Sequence, residues 1–347
     1  MIHSPEYVTP EEMTELLRQA GALTHGQVVK IERRATQSSP FGGSHQLFHL
    51  ALRYANTGGE QPPERLFLKF GKSCKEWLFY THIVPAMDAC FLPRCYHASY
   101  HAETDQTCLM LEDLSASHWQ SEWPLPPPVR QCEETVEALA EIHAGWWKDE
   151  RLERIFRPAL PKGRSWADRH ALALEKLPGF LDFLGDRLSS NRRVIYLSLL
   201  ASECPWELPP GAPGQTLLHG DMHFWNVLYP REPGNARPKF FDWNMWDLGR
   251  PTDDLAYLLA LHWYPERRAW LERGLLERYH RRLSVCGISG YRWEQCWHDY
   301  RISVVRSLLI PVWQWVRGIH PGVWWAHLER GMLAYEDLGC RKLIGGA

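Results

Sequence analysis

Apolar residues follow two rhythms along this chain. In the first third the period is two. VVKIERRATQ (28–37) and HQLFHLALRY (45–54) read as strands, and ERLFLKF (64–70) alternates apolar and polar positions, which predicts a third strand. SSPFGGS (38–44) joins the first two as a hairpin loop with adjacent glycines. TCLMLEDLS (107–115) is a continuous apolar run entering a polar bend, which predicts a buried strand. Helical spacing interrupts this part twice. Thr9-Pro10-Glu11-Glu12 has the form of a capping box with proline at the first helical position, and Gly21 ends that helix. CKEWLFYTHIVPAM (74–87) sets Trp77, Tyr80 and Val84 on one helical face.

Beyond residue 115 the period becomes that of a helix. VRQCEETVEALAEIHAGWWKD (129–149) lines up Val136, Leu139, Ala140, His143 and Trp146. The stretch 166–200 reads as two helices. DDLAYLLALHWY, a helix around 266–283, and the region 293–337 complete a helical set. PLPPP (124–128) is a stiff local connector, and PWELPPGAPGQ (205–215) is a loop. TLLHGDMHFWNVLY (216–229) and KFFDW (239–243) read as short strands around a loop. The expected architecture is α+β: a strand-rich part over 1–115 and a mostly helical part over 116–347.

Composition narrows the class. The chain has 347 residues, 45% of them apolar and 23% charged, so it can bury a large core. The formal net charge is −2, with no basic excess to suggest nucleic acid or an anionic membrane as partner. No apolar run approaches the roughly 18 residues of a membrane span. The N-terminal stretch lacks the charged and apolar regions of a signal peptide. Nine cysteines without a CxxC pair read as reduced thiols, and the expected location is the cytoplasm.

The chemistry concentrates in HGDMHFWN (219–226) and in FFDWNMWDLGRPTDDLAYLL (240–259). Polar side chains in such apolar surroundings are costly to bury without partners. Phosphoryl transfer from ATP needs oxygen ligands for metal ions, a carboxylate to orient the attacking hydroxyl, a cation on the phosphates and backbone N–H groups over them. One candidate exists for each requirement. Asp221 and Asn226 share one loop, and Asp242 follows a short strand. Lys69 ends a strand with Glu76 on the next helix, and Gly42, Gly43 and Ser44 lie in the first hairpin loop.

In this order these residues resemble the aminoglycoside phosphotransferase and choline-kinase-like superfamily, nearest to its ecdysteroid-kinase-like and uncharacterised bacterial members. The likeness runs through Lys69, EWLFY, LMLEDLS, HGD…N, FDW and GRPTDDLAYLL, nearly the whole chain. It implies a two-lobed protein-kinase-like fold with ATP and Mg²⁺ in the cleft. By the resemblance, Asp221 orients or deprotonates the acceptor hydroxyl, while Asn226 and Asp242 hold the metal. Lys69, oriented by Glu76, contacts the α- and β-phosphates, with Gly42, Gly43 and Ser44 above them. Backbone groups near Glu112 and Leu114 meet the adenine edge. Asp254 supports the catalytic-loop backbone, and His219 is a structural loop residue. Trp246 and Asp247 are candidates for the acceptor pocket. SSPFGGS departs from the G-x-G-x-x-G of protein kinases, and Gly42 and Gly43 also suit a plain hairpin turn.

The implied activity is transfer of the γ-phosphoryl group to a hydroxyl of a small molecule, by a monomer or homodimer, with no nucleic-acid or membrane partner. Two other readings stand beside it. One is a kinase-like module that binds nucleotide or metabolite without transfer. The other is a zinc hydrolase with His219, Asp221 and His223 as ligands, spaced H-x-D-x-H.

Overall fold

A computed structural model describes residues 8–36, 45–152, 154, 165–202, 214–232, 234 and 236–344. The glycine-loop candidates Gly42, Gly43 and Ser44 lie outside the described residues. The chain forms two compact units, Met1–Gln120 with Val227–Met245, and Ser121–Asn226 with Trp246–Ala347.

The first unit is built on a five-stranded antiparallel sheet in the order β1-β2-β3-β5-β4. Its strands are β1 (Gln27–Thr36), β2 (Gln46–Ala55), β3 (Arg65–Lys72), β4 (Cys95–His101) and β5 (Gln106–Glu112). β4 was not expected from the sequence. It is an edge strand, half-buried along its whole length, so CYHASYH carries no apolar alternation. Helix α1 (Pro10–Gln19) begins at the Thr9–Glu12 capping box and packs Met13 and Leu17 onto Leu50, Leu52, Leu66, Leu68 and Phe70. The helix expected over 74–87 is broken into pieces. It runs as α2 (Cys74–Leu78), a π-helical turn (Phe79–Ile83) and a 3₁₀ turn (Val84–Ala86). Pro85 has no N–H to continue an α-helical ladder. A second sheet pairs β6 (His118–Gln120), β8 (Val227–Pro230) and β9 (Lys239–Phe240).

The second unit is mostly helical. Helix α3 (Val129–Gly145) buries Val136, Leu139, Ala140 and His143. Helix α4 (Trp166–Leu184) starts at a Ser165–Asp168 capping box, and α5 (Ser190–Ala201) starts at Ser189. The two-stranded pair β7 (Thr216–Leu218) and β10 (Asp247–Gly249) carries the HGD loop at its end. Helix α6 (Pro251–Ala256) passes directly into a π-helical turn, Tyr257–Leu261. Helices α7 (Pro265–Val285), α8 (Trp293–Ser307), α9 (Ile310–Val316) and α10 (Pro321–Asp337) complete the unit. Prolines in the first turns of α9 and α10 divide what the sequence presents as one helical region. Among the described residues no helix is long and apolar enough to cross a membrane.

Candidate active site

Strand geometry decides where Lys69 points. Leu66, Leu68 and Phe70 enter the core under α1, so the period of two sends Lys69 to the opposite face of β3. There the residue is 7% exposed, and its ammonium lies 2.7 Å from Glu76 Oε2 and 2.5 Å from Asp242 Oδ1. Glu76 reaches it because β3 ends at Lys72 and Ser73 caps α2 at once, its hydroxyl accepting from the Lys75 N–H. The reversal is short enough for a lysine and a glutamate seven positions apart to meet. Burial alone would push the Lys69 ammonium down, but the Asp242 and Glu76 carboxylates outweigh it and hold it above the ordinary lysine value. Burial raises the Glu76 carboxyl, against the pull of Lys69.

Asp242 is fixed from both sides. Its backbone lies in the left-handed region at φ +64°, uncommon for a residue with a side chain, and Asn244 Nδ2 donates to its Oδ1 at 2.8 Å. The next residue, Trp243, is fully buried and stacks on Phe79 with centroids 4.2 Å apart. The Trp243 N–H also donates to Glu76. The loop that presents Asp242 is thus pinned to the turn that follows Glu76. His45 joins this group without any sequence signal. Its ring lies over Gly71, where an added Cβ would come within 2.4 Å of it, and burial with Lys69 nearby lowers its basicity.

Glu112 closes β5, its N–H donating to the Arg94 carbonyl at 2.7 Å. Leu114 is buried, and its carbonyl accepts from the N–H groups of Ser117 and His118.

In the second unit the HGD loop is held by Asp254, which is 1% exposed. Its Oδ2 accepts from the His219 N–H at 2.7 Å and its Oδ1 from the Gly220 N–H at 2.9 Å. His143 Nε2 lies 3.3 Å from Oδ2, and His143 Nδ1 lies 2.7 Å from the Tyr279 hydroxyl. A carboxylate only accepts, so the His143 Nε2–H donates to Asp254. Gly220 takes φ +78°, a conformation that suits glycine. His219 is fully buried, and its Nδ1 accepts from the Asp221 N–H at 3.3 Å. Asn226 closes the loop: its Nδ2 donates to the Asp221 carbonyl at 2.9 Å and lies 3.4 Å from Oδ2. These bonds occupy the amide nitrogen and leave Oδ1 as the atom a cation would take.

Around Asp221 stand His223 and two groups that the sequence did not single out, Tyr257 and Arg169. The Tyr257 hydroxyl, at the start of the π-helical turn, hydrogen-bonds to Asp221; burial and that carboxylate raise its pKa well above the tyrosine value. The buried Arg169 guanidinium has its pKa lowered by burial, with Asp247, Asp221 and Tyr257 acting in the opposite direction. His223 Nε2 is 3.8 Å from Asp221 Oδ2, its ring against Trp225 and His262. The acceptor-pocket candidates are interior residues here. Trp246 is fully buried, and Asp247 accepts from the Trp166 N–H at 2.7 Å, fixing the start of α4. The H-x-D-x-H zinc arrangement does not form, because the His219 ring is enclosed and its Nδ1 is used within the loop. Among the described residues no three His, Cys, Asp or Glu side chains gather as a metal site. Mg²⁺ asks less of the protein, being bound through one or two oxygen ligands together with phosphates. Asp242 in the first unit and Asn226 Oδ1 in the second are each, taken separately, an oxygen donor of that kind.

A sheet unit carrying a buried lysine–glutamate–aspartate group and a helical unit carrying an HGD loop define a protein of kinase-like fold. The model of the phosphotransferase enzyme family matches residues 80–295, more than half of the chain, and the chain belongs to that family. No curated protein matches it. Solved structures agree on the fold. A presumed aminoglycoside phosphotransferase from Ralstonia eutropha JMP134 is similar with a TM-score of 0.57 at 16% identity, over 95% of this chain and 97% of that one. An ethanolamine kinase from Plasmodium vivax is similar with a TM-score of 0.53 at 12% identity, over 89% of this chain and 81% of that one. A choline/ethanolamine kinase family protein from Mesorhizobium loti gives 0.51 at 12% identity, over 88% and 87% of the two chains.

Proposed function

We propose that this phosphotransferase-family protein moves the γ-phosphoryl group of ATP, bound with Mg²⁺, to a hydroxyl of a small molecule. The observation that carries the reading is the buried Lys69 ammonium between Glu76 and Asp242, the latter in a left-handed backbone conformation. A buried ammonium needs partners, but a left-handed aspartate is a strained way to supply one, and such strain concentrates at functional sites. In the proposed reaction Lys69, oriented by Glu76, steadies the α- and β-phosphates. Asp242 and Asn226 hold the metal, which when bound neutralises charge on the phosphate oxygens. Asp221 orients the acceptor hydroxyl and takes its proton as the new oxygen–phosphorus bond forms and ADP leaves. Asp254 keeps the Asp221 loop in shape through the His219 and Gly220 amides. Backbone groups near Glu112 and Leu114 take the adenine edge, and Gly42, Gly43 and Ser44 cover the phosphates. Catalysis on this account is positioning and charge stabilisation, with little covalent work for the protein.

The test is ADP release from Mg-ATP across a panel of hydroxyl compounds: aminoglycosides, macrolides, choline, sugars, nucleosides and sterols. At least one compound should stimulate the wild type, and Asp221→Asn should lower that turnover by about 10²–10⁴-fold while ATP still binds. Full turnover in the variant would remove Asp221 from the base role.

A further inference from the structure

We propose that the first unit carries a second ligand site, separate from the Lys69 group, which binds an aromatic carboxylate in a pocket between the Tyr80–Val84 turn, β4 and Lys239. The pocket has a volume of about 470 Å³. That is within the roughly 300–1,000 Å³ of small-molecule sites. Its walls are apolar and aromatic, drawn from Tyr80, Val84, Leu92, Pro93, Tyr96 and Ala98. A flat ring fits such walls.

The polar groups set the rest of the ligand. Tyr80 is 6% exposed, and among the described residues its hydroxyl has no hydrogen-bond partner. The same holds for His97 Nε2, on the strand that forms another wall. Both atoms lie beneath the pocket surface, so they make the wall more polar without touching an occupant, and the contacts to a ligand come from the groups at the rim. Two cations adjoin the pocket. The Lys239 ammonium donates to the Leu92 carbonyl at 3.1 Å and makes no ion pair among the described residues. The Arg94 guanidinium lies over the Tyr96 ring, 4.8 Å from its centroid, and donates to the Ala20 carbonyl. The one acid in the lining, Glu112, accepts from the Arg94 backbone N–H at 3.2 Å. Asp88, next to the lining residue Ala89, also acts on Lys239 and on Arg237, so three positive charges stand against two negative ones and favour an anionic head on the ligand. Tyr80 follows Glu76 by one helical turn, so an occupant would sit beside the turn that positions that carboxylate.

The probe is naphthalene-2-carboxylate, titrated calorimetrically into the full chain, with 2-naphthamide as its neutral counterpart. The expected result is one molecule bound per chain, about tenfold weaker for the amide and for Lys239→Gln, the loss of one charge-assisted contact. Ala98→Trp, which fills the pocket, should abolish binding, with folding of both variants checked by circular dichroism. Saturating Mg-ATP should leave the affinity unchanged. Absence of measurable binding to the wild type, equal affinity for the amide, or unchanged affinity in Lys239→Gln would overturn the proposal. Displacement by ATP would also overturn it, by making the pocket part of the nucleotide site. Failure of the phosphotransferase reading would show as missing ATP binding and would leave the naphthoate result standing.

Discussion

Asp254→Asn isolates the support of the HGD loop with the least change of shape. The native carboxylate is almost fully buried and uses both oxygens. Oδ1 takes the Gly220 N–H, while Oδ2 takes the His219 N–H and faces His143 Nε2. Asparagine keeps one oxygen and presents an NH₂ where the other stood. Whichever way the amide turns, a backbone N–H of the loop meets a donor instead of an acceptor. A hydrogen bond to a charged group contributes about 1.5–3 kcal/mol, and the orphaned buried donor costs about 1–3 kcal/mol. These terms overlap, so a loss of roughly 3 kcal/mol is expected. At about 2–4 °C per kcal/mol for a unit of this size, the melting temperature should fall by roughly 6–12 °C. Calorimetry reads the global effect. Amide hydrogen exchange at His219 and Gly220 reads the local one, and both amides should lose protection. A melting temperature within about 2 °C of wild type, with unchanged exchange at these amides, would refute the reasoning.

Two further outcomes follow from the same geometry. Lys69→Met leaves the buried Glu76 and the nearby Asp242 without their cation and should cost about 3–5 kcal/mol at neutral pH by urea unfolding. Its pH dependence has a definite sign. Glu76 is already raised by burial, and losing Lys69 raises it further. A carboxyl with a raised folded-state pKa loses stability as pH climbs from its ordinary value through the folded one, so the variant should regain stability between pH 7 and about 5. Curves parallel to wild type would contradict this. In the wild type the Lys69 contribution is complete below the ordinary lysine pKa and is lost only as pH rises through the higher folded value. Asn226→Ala removes the 2.9 Å bond to the Asp221 carbonyl and should destabilise the second unit by about 1 kcal/mol. No change in stability or in exchange within the loop would show that Asn226 does not brace it.

Much of the fold was legible because its elements repeat a simple period. The alternation in ERLFLKF placed Leu66, Leu68 and Phe70 on one face and Lys69 on the other. Thr9 and Glu12 marked the start of α1 by a local rule that needs no tertiary partner. Strand β4 was not legible, since an evenly half-buried edge strand shows no pattern. The π-helical turns at Phe79 and Tyr257 were hidden as well, because they keep helical spacing in the sequence and differ only in their hydrogen bonds. Within the candidate site, Lys69 and Glu76 could be paired because they adjoin in the chain. Arg169, Tyr257 and His45 could not, because their neighbours come from distant segments. His143 was legible as a core position but not as a partner of Asp254, 111 residues away. Trp246 and Asp247 were drawn toward a pocket by nearness in sequence to Asp242, yet both face the interior of the second unit.

The most direct test of the account is equilibrium binding of ATP, with and without Mg²⁺, to the wild type and to Asp242→Ala. The account predicts binding that strengthens markedly with Mg²⁺ in the wild type and loses that dependence in the variant. Metal-independent binding of equal strength in both would contradict the role given to Asp242, and no binding of ATP to the wild type would contradict the proposed reaction itself.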